Sequence, residues 1–67
     1  MFRQLCNLVA EAQTVSPPPF GRWQLTPVGG GFYALKIADA DGLHDPAAPI
    51  VARPRRMAYL LADLIDN

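Results

Sequence analysis

Two stretches of alternating apolar and polar residues, set on either side of a glycine run, constrain this chain most. They are Arg22-Trp23-Gln24-Leu25-Thr26 and Phe32-Tyr33-Ala34-Leu35-Lys36-Ile37-Ala38, joined by Pro27-Val28-Gly29-Gly30-Gly31. Period-two alternation in residues of high strand propensity predicts a pair of strands, and the glycines predict a flexible hairpin loop between them. Side chains point to opposite faces along a strand. Trp23, Leu25, Tyr33, Leu35 and Ile37 therefore share one face, which reads as the core face. Arg22, Gln24, Thr26, Phe32, Ala34 and Lys36 share the other, which is mixed enough to meet solvent or a partner.

The flanks of the hairpin read as helices. Phe2, Leu5, Val9 and Ala12 recur at helical spacing, with Cys6 and Leu8 beside them, while Arg3, Gln4, Asn7, Glu11 and Gln13 fall mostly on the other side. This predicts an amphipathic helix over roughly residues 2–14. Pro17-Pro18-Pro19 stops it, since proline cannot continue the hydrogen-bond ladder, and reads as a stiff polyproline-II spacer rather than a docking motif. At the other end, Pro54 suits a first helical turn. Met57, Leu60, Leu61, Leu64 and Ile65 form one apolar stripe, with Arg55, Arg56, Tyr59, Asp63 and Asp66 mainly away from it. Between hairpin and second helix, Asp39 to Ala48 reads as a polar loop with a turn at Asp41-Gly42. Ile50-Val51-Ala52, flanked by Pro49 and Pro54, could add a short third strand at an edge. The expectation is one α+β domain over residues 1–67: an N-terminal helix, an antiparallel hairpin with a short edge strand, and a C-terminal helix packed on the sheet.

Size makes the core marginal. A chain of 67 residues buries only about 60% of the surface its unfolded state exposes, and small scaffolds usually add a disulfide, a metal or a partner subunit. Cys6 is the only cysteine, so an internal disulfide is excluded, and no His/Cys cluster offers a zinc site. With 51% hydrophobic residues, some apolar surface is expected to be covered by another protein or a second copy. The formal net charge is zero, so no global field draws the chain to nucleic acid or membrane. Ten Ala, seven Pro and five Arg against a single Lys fit a GC-rich bacterial genome or one of its mobile elements. Asn7 and Glu11 interrupt the first apolar stretch, which does not read as a secretion signal, and no run approaches the roughly 20 apolar residues of a membrane span. A cytoplasmic protein is the expectation.

Chemistry is sparse. Asp39-Ala40-Asp41-Gly42-Leu43-His44-Asp45 opens like a calcium loop, but His44 stands at the sixth position, where an EF-hand needs Gly, and Ile50 at the twelfth, where it needs Glu. Asp and Gly are equally what a hairpin turn prefers, and the turn reading leads. His44 lies near Asp41 and Asp45, yet a general base needs a nucleophile or substrate site facing it, and neither Ser16 nor Cys6 sits in a nucleophile motif. Gly29-Gly30-Gly31 leads into a strand rather than a helix, so no helix N-terminus is aimed at a phosphate. No catalytic residue, metal or cofactor is expected.

The charges of the last helix are more informative. Arg53, Arg55 and Arg56 cluster at its start and Asp63 and Asp66 at its end, both against the macrodipole, which favours acids first and bases last by about 0.3–1 kcal/mol per charge. Two readings follow: the arginines pair with Asp39, Asp41 and Asp45 or stand in solvent, which is favoured, or they face an anionic partner. The functional expectation is a non-enzymatic protein-binding module, a regulator or inhibitor of a larger bacterial protein or a homodimer. Its expected contacts are Phe2, Leu5 and Val9 on the first helix and Arg55, Arg56 and Tyr59 on the last. The alternative is a sheet-plus-helix DNA-binding module that reads base edges with Arg22, Gln24, Thr26 and Lys36. That alternative depends on where the first helix packs, because a helix laid over Phe32 and Ala34 would close the face to DNA.

Overall fold

The computed structural model describes residues 2–66, with the side chain of Phe2 outside that description. The element order is α1 (Phe2–Val15), β1 (Arg22–Gly29), β2 (Phe32–Asp39), β3 (Gly42–His44), β4 (Ile50–Ala52) and α2 (Pro54–Asp66). The α+β architecture is as expected, including the edge strand at Ile50–Ala52. β2 is central: β1 pairs along one side of it, while β3 and β4 both pair with the other. β3 takes the end of β2, with Ile37 opposite His44 and Asp39 opposite Gly42. β4 takes its beginning, with Tyr33 opposite Ala52 and Leu35 opposite Ile50. All pairings are antiparallel. β3 and β4 thus act as one edge strand interrupted by the loop 45–49.

Three local readings are corrected. β1 runs on through Pro27 to Gly29, so the hairpin loop shrinks to Gly30-Gly31, whose φ values of 64° and 81° match the two positive central angles of a type I′ turn. Proline is tolerated inside this strand because of the edge it faces. The N–H of Trp23 donates to Gln13 Oε1 at 2.7 Å, so it points away from β2. The groups facing one edge recur every second residue, which puts the missing N–H of Pro27 on that same outer edge, where no ladder bond is required. Second, the expected polar loop 39–48 contains β3. Third, its turn sits at Ala40-Asp41, one residue earlier than predicted, and is held by the Asp41 N–H donating to Asp39 Oδ1 at 2.8 Å.

Both helices lie on the same face of the sheet. α1 contacts α2 and β1, and α2 contacts β2 and β4. Leu5 and Ala12 of α1, Leu35 and Ala52 of the sheet, and Met57 and Leu61 of α2 form the buried core, ringed by Trp23, Leu25, Tyr33, Ile50 and Leu64 among others. The alternation predicted Trp23, Leu25, Tyr33 and Leu35 on this face, and each residue the size of Leu buried there contributes about 1.5–3 kcal/mol. The proline spacer is tied down at its start and its middle. Trp23 Nε1 donates to the carbonyl of Ser16 at 2.8 Å, and Pro18 is buried. Gly21 (φ 76°) passes so close to β2 that a Cβ there would run into the carbonyl oxygen of Ala38.

Candidate functional site

With both helices on one side, the other face of the sheet is uncovered. Its strand residues are Arg22, Gln24 and Thr26 of β1, Phe32, Ala34, Lys36 and Ala38 of β2, Leu43 of β3 and Val51 of β4, as the strand pairings require. Phe32, Leu43 and Val51 are 38%, 45% and 54% exposed, and Val28, the extra residue of the bulge beside Phe32, is also exposed. Ala34 sits at the centre, opposite Thr26 and Val51. Its larger neighbours bury it without any helix above it. The Thr26 hydroxyl next to it is buried and has no hydrogen-bond partner.

One feature of this face escaped sequence reasoning. The guanidinium carbon of Arg53 lies over the Phe32 ring, 4.6 Å from its centroid, within the range of a cation–π contact. Extending the β4 register by one residue brings Arg53 opposite Phe32. Gly31 leaves room for the side chain, since a Cβ there would lie 3.2 Å from Arg53 Nη1. Val51 and Arg53 are two residues apart, so the sequence places them on one face once residue 53 is known to continue the strand; the register that pairs it with Phe32 is not written locally.

The two edges of the sheet are poor templates for a further strand. Along the free edge of β1, the Trp23 N–H is occupied by Gln13 and Pro27 has none. The opposite edge consists of two three-residue pieces separated by Pro46 and Pro49. Short strands and prolines are standard protections against edge-to-edge pairing. The open surface is a face, not an edge.

The expected contact residues are scattered by this fold. Leu5 lies at the centre of the core and Val9 packs against it, so the monomer itself uses the apolar side of α1 that sequence reasoning offered to a partner; the side chain of Phe2 lies outside the described residues. Arg55, Arg56 and Tyr59 are exposed on α2. The second set, Arg22, Gln24, Thr26 and Lys36, does come together on the uncovered face, where Lys36 Nζ is bound to Asp45 Oδ1 at 3.2 Å. Of the favoured reading, pairing with the loop acids or solvation, the pairing is not seen among the described residues, and Arg55 and Arg56 stand exposed. Asp45 takes Lys36, Asp39 takes His44 at 3.0 Å, and Arg53 takes a ring.

His44 lies on the helix-bearing side, opposite Ile37, and its Nε2 contacts the carboxylate that holds the β2–β3 turn. The Asp41 N–H is the main reason the Asp39 carboxyl is held below its ordinary pKa; slight burial opposes this, and His44 adds a hydrogen bond and charge in the same direction. Among the described residues no group of three or more His, Cys, Asp or Glu is placed to hold a metal ion, and no helix is long and apolar enough to cross a membrane. A wide-mouthed cleft of about 280 Å³ opens between Ser16, Ile50, Leu60, Asp63 and Leu64. Compared with family models, with curated proteins and with solved structures, the chain matches none.

Proposed function

We propose that the chain is a non-enzymatic protein-recognition module that engages its partner through the uncovered face of its sheet. One observation carries this reading: both helices are spent on one face, while Phe32, Leu43 and Val51 stand open on the other with Arg53 lying over Phe32 at its edge. Aromatic and Arg side chains are the usual anchors of protein interfaces. Phe32 and Val51 flank Ala34, while Leu43 lies opposite Ala38, beyond Lys36 on the same face; exposed apolar patches on a monomer commonly mark an interaction site. The regulator or inhibitor role moves with the surface, from the helices to the sheet.

The test is affinity capture from a bacterial lysate with matched variants, each first shown to keep its circular dichroism spectrum. Phe32→Ala and Val51→Asp should lose a protein that the unaltered chain retains, while Arg55→Ala, Arg56→Ala and Tyr59→Ala should keep it. The reverse pattern would place the docking surface on α2 and refute the proposal.

A DNA-binding role is the second reading, favoured by Arg22 and Gln24 standing exposed on the sheet face that carries no helix. It predicts a low-salt mobility shift that Arg22→Ala abolishes, with affinity falling steeply as salt rises. Against it weigh the zero net charge, the neutralisation of Lys36 by Asp45, and apolar side chains that phosphates would leave unused.

A further inference from the structure

We infer that the partner segment meeting this face is acidic and carries an apolar side chain, with its carboxylate taken by the Arg53 guanidinium where that group lies on Phe32. This rests on the reading of the uncovered face as the docking surface.

Charge complementarity is the first ground. The chain is neutral as a whole, but the face is not. Its strand residues and Arg53 include three cations, Arg22, Lys36 and Arg53, and no carboxylate. The one carboxylate seen to reach it, Asp45 from the neighbouring loop, is held by Lys36. The other acids lie elsewhere: Glu11 on α1, Asp39 and Asp41 at the β2–β3 turn, Asp63 and Asp66 towards the end of α2. Directly beyond Arg53, α2 begins at Pro54, carries Arg55 and Arg56 in its first turn and has no acidic residue there, so the positive end of the helix dipole adds to theirs.

The state of Arg53 is the second ground. Among the described residues its side chain makes no hydrogen bond or ion pair, and its guanidinium carbon lies over the Phe32 ring, 4.6 Å from the centroid. A cation–π contact of this kind uses no N–H donor, so the donors of the guanidinium fork stay available to a carboxylate. The adjoining apolar ground, Val51 and Phe32 around the buried Ala34, suits an apolar side chain next to that carboxylate. A second copy of the chain, docked face to face, would press the same cations together, which opposes association.

The experiment is selection from a phage-displayed library of random peptides, about a dozen residues long, on the intact chain at physiological salt. Enriched peptides are expected to be net negative with an apolar residue beside an acidic one. They should bind Arg53→Ala about 30-fold more weakly or worse, the loss typical of an interface anchor. Selection on Arg53→Glu should turn the enriched charge positive. Neutral or basic peptides whose binding is lost on Phe32→Ala would overturn the acidic partner and leave the face standing. Peptides indifferent to both Phe32→Ala and Val51→Asp, or no enrichment at all, would overturn both. A dimer in sedimentation that Val51→Asp dissolves would assign the face to a second copy, and a duplex shift that Arg22→Ala abolishes would assign it to nucleic acid; either result overturns the inference.

Discussion

The same substitution at two adjacent residues tests whether one face of the sheet is truly bare. Val51 and Ala52 are neighbours in the three-residue strand β4, yet Val51 is 54% exposed and Ala52 5%. Fully burying a valine contributes about 1.5–3 kcal/mol, so Val51, a little less than half buried, has roughly 1 kcal/mol at stake. The lower strand propensity of Asp adds up to about 1 kcal/mol. Val51→Asp should therefore cost about 1–2 kcal/mol and leave a folded chain. Ala52→Asp places a carboxylate among Leu35, Met57 and Leu61, where the effective cost of an unpaired buried charge is several kcal/mol. Total stability for 67 residues is on the order of 3–10 kcal/mol. Ala52→Asp consumes most or all of it. Urea unfolding followed by the fluorescence of Trp23, which is tethered to Ser16 in the folded state, reads both variants. With a slope near 1 kcal/mol per molar urea, as small domains show, Val51→Asp should lower the midpoint by about 1–2 M, while Ala52→Asp should be unfolded or nearly so without denaturant. Equal losses, or a larger loss for Val51→Asp, would mean that the folded chain covers this face itself, and the proposed docking surface would go with it.

Four further outcomes follow from single contacts. Thr26→Val replaces an unpartnered buried hydroxyl by a methyl group and should raise the urea midpoint, by up to about 1 kcal/mol in stability. Gln13→Ala removes the acceptor of the Trp23 N–H; it should cost about 1 kcal/mol and speed hydrogen exchange at that amide. Gly21→Ala meets both a left-handed backbone, about 1–2 kcal/mol, and the Ala38 carbonyl, a clash of about 1–3 kcal/mol, whereas Gly29→Ala at φ 93° with open space around it should show only the backbone cost; equal losses in urea melts would contradict the close approach at Gly21. For Asp39 the folded-state pKa lies below the ordinary value, so its contribution to stability is present above the unfolded value of about 3.9 and is lost as pH falls through the folded one. Midpoints of the wild type and Asp39→Asn should converge on acidification, and a gap that stays constant down to pH 2 would refute the linkage.

The parts of the fold that were legible in the sequence are those that repeat with a period. The stripe from Met57 to Ile65 and the alternation from Trp23 to Ile37 each recur often enough to name both the element and its inward face. What local patterning could not supply was pairing between distant segments. Pro27 looks like a strand breaker until β1 is known to be an edge whose odd-numbered N–H groups face outward. Gly42-Leu43-His44 has no apolar alternation to betray a strand and pairs with the side of β2 that β1 leaves open. The candidate site followed the same division. Arg22, Gln24, Thr26 and Lys36 were grouped correctly on one face by alternation alone, but Leu5 and Val9 were offered to a partner because nothing local says that α1 and α2 share one side of the sheet. Arg53 was read as part of a helix-end cluster, although its contact with Phe32 depends on a strand pairing across twenty-one positions.

The way this chain treats its surfaces gives the proposed role its strongest physical support. Gln13, Pro27, Pro46 and Pro49 together remove most of the backbone donors and strand length through which another chain could add to the sheet. Protection of that kind suppresses indiscriminate pairing, which main-chain hydrogen bonds would otherwise promote whatever the partner's sequence. The uncovered face is treated oppositely. A strand surface meant only for water would need no aromatic ring, and here the ring carries the Arg53 guanidinium over it, a cation whose N–H donors are unspent among the described residues. Side chains discriminate between partners where backbone groups do not, so closing the edges while leaving this face open restricts association to proteins that match its side chains. Specificity on these terms needs an unfavourable element as well as attractive ones; in the proposed role Arg22 and Arg53 would supply it by repelling basic surfaces and further copies of the chain.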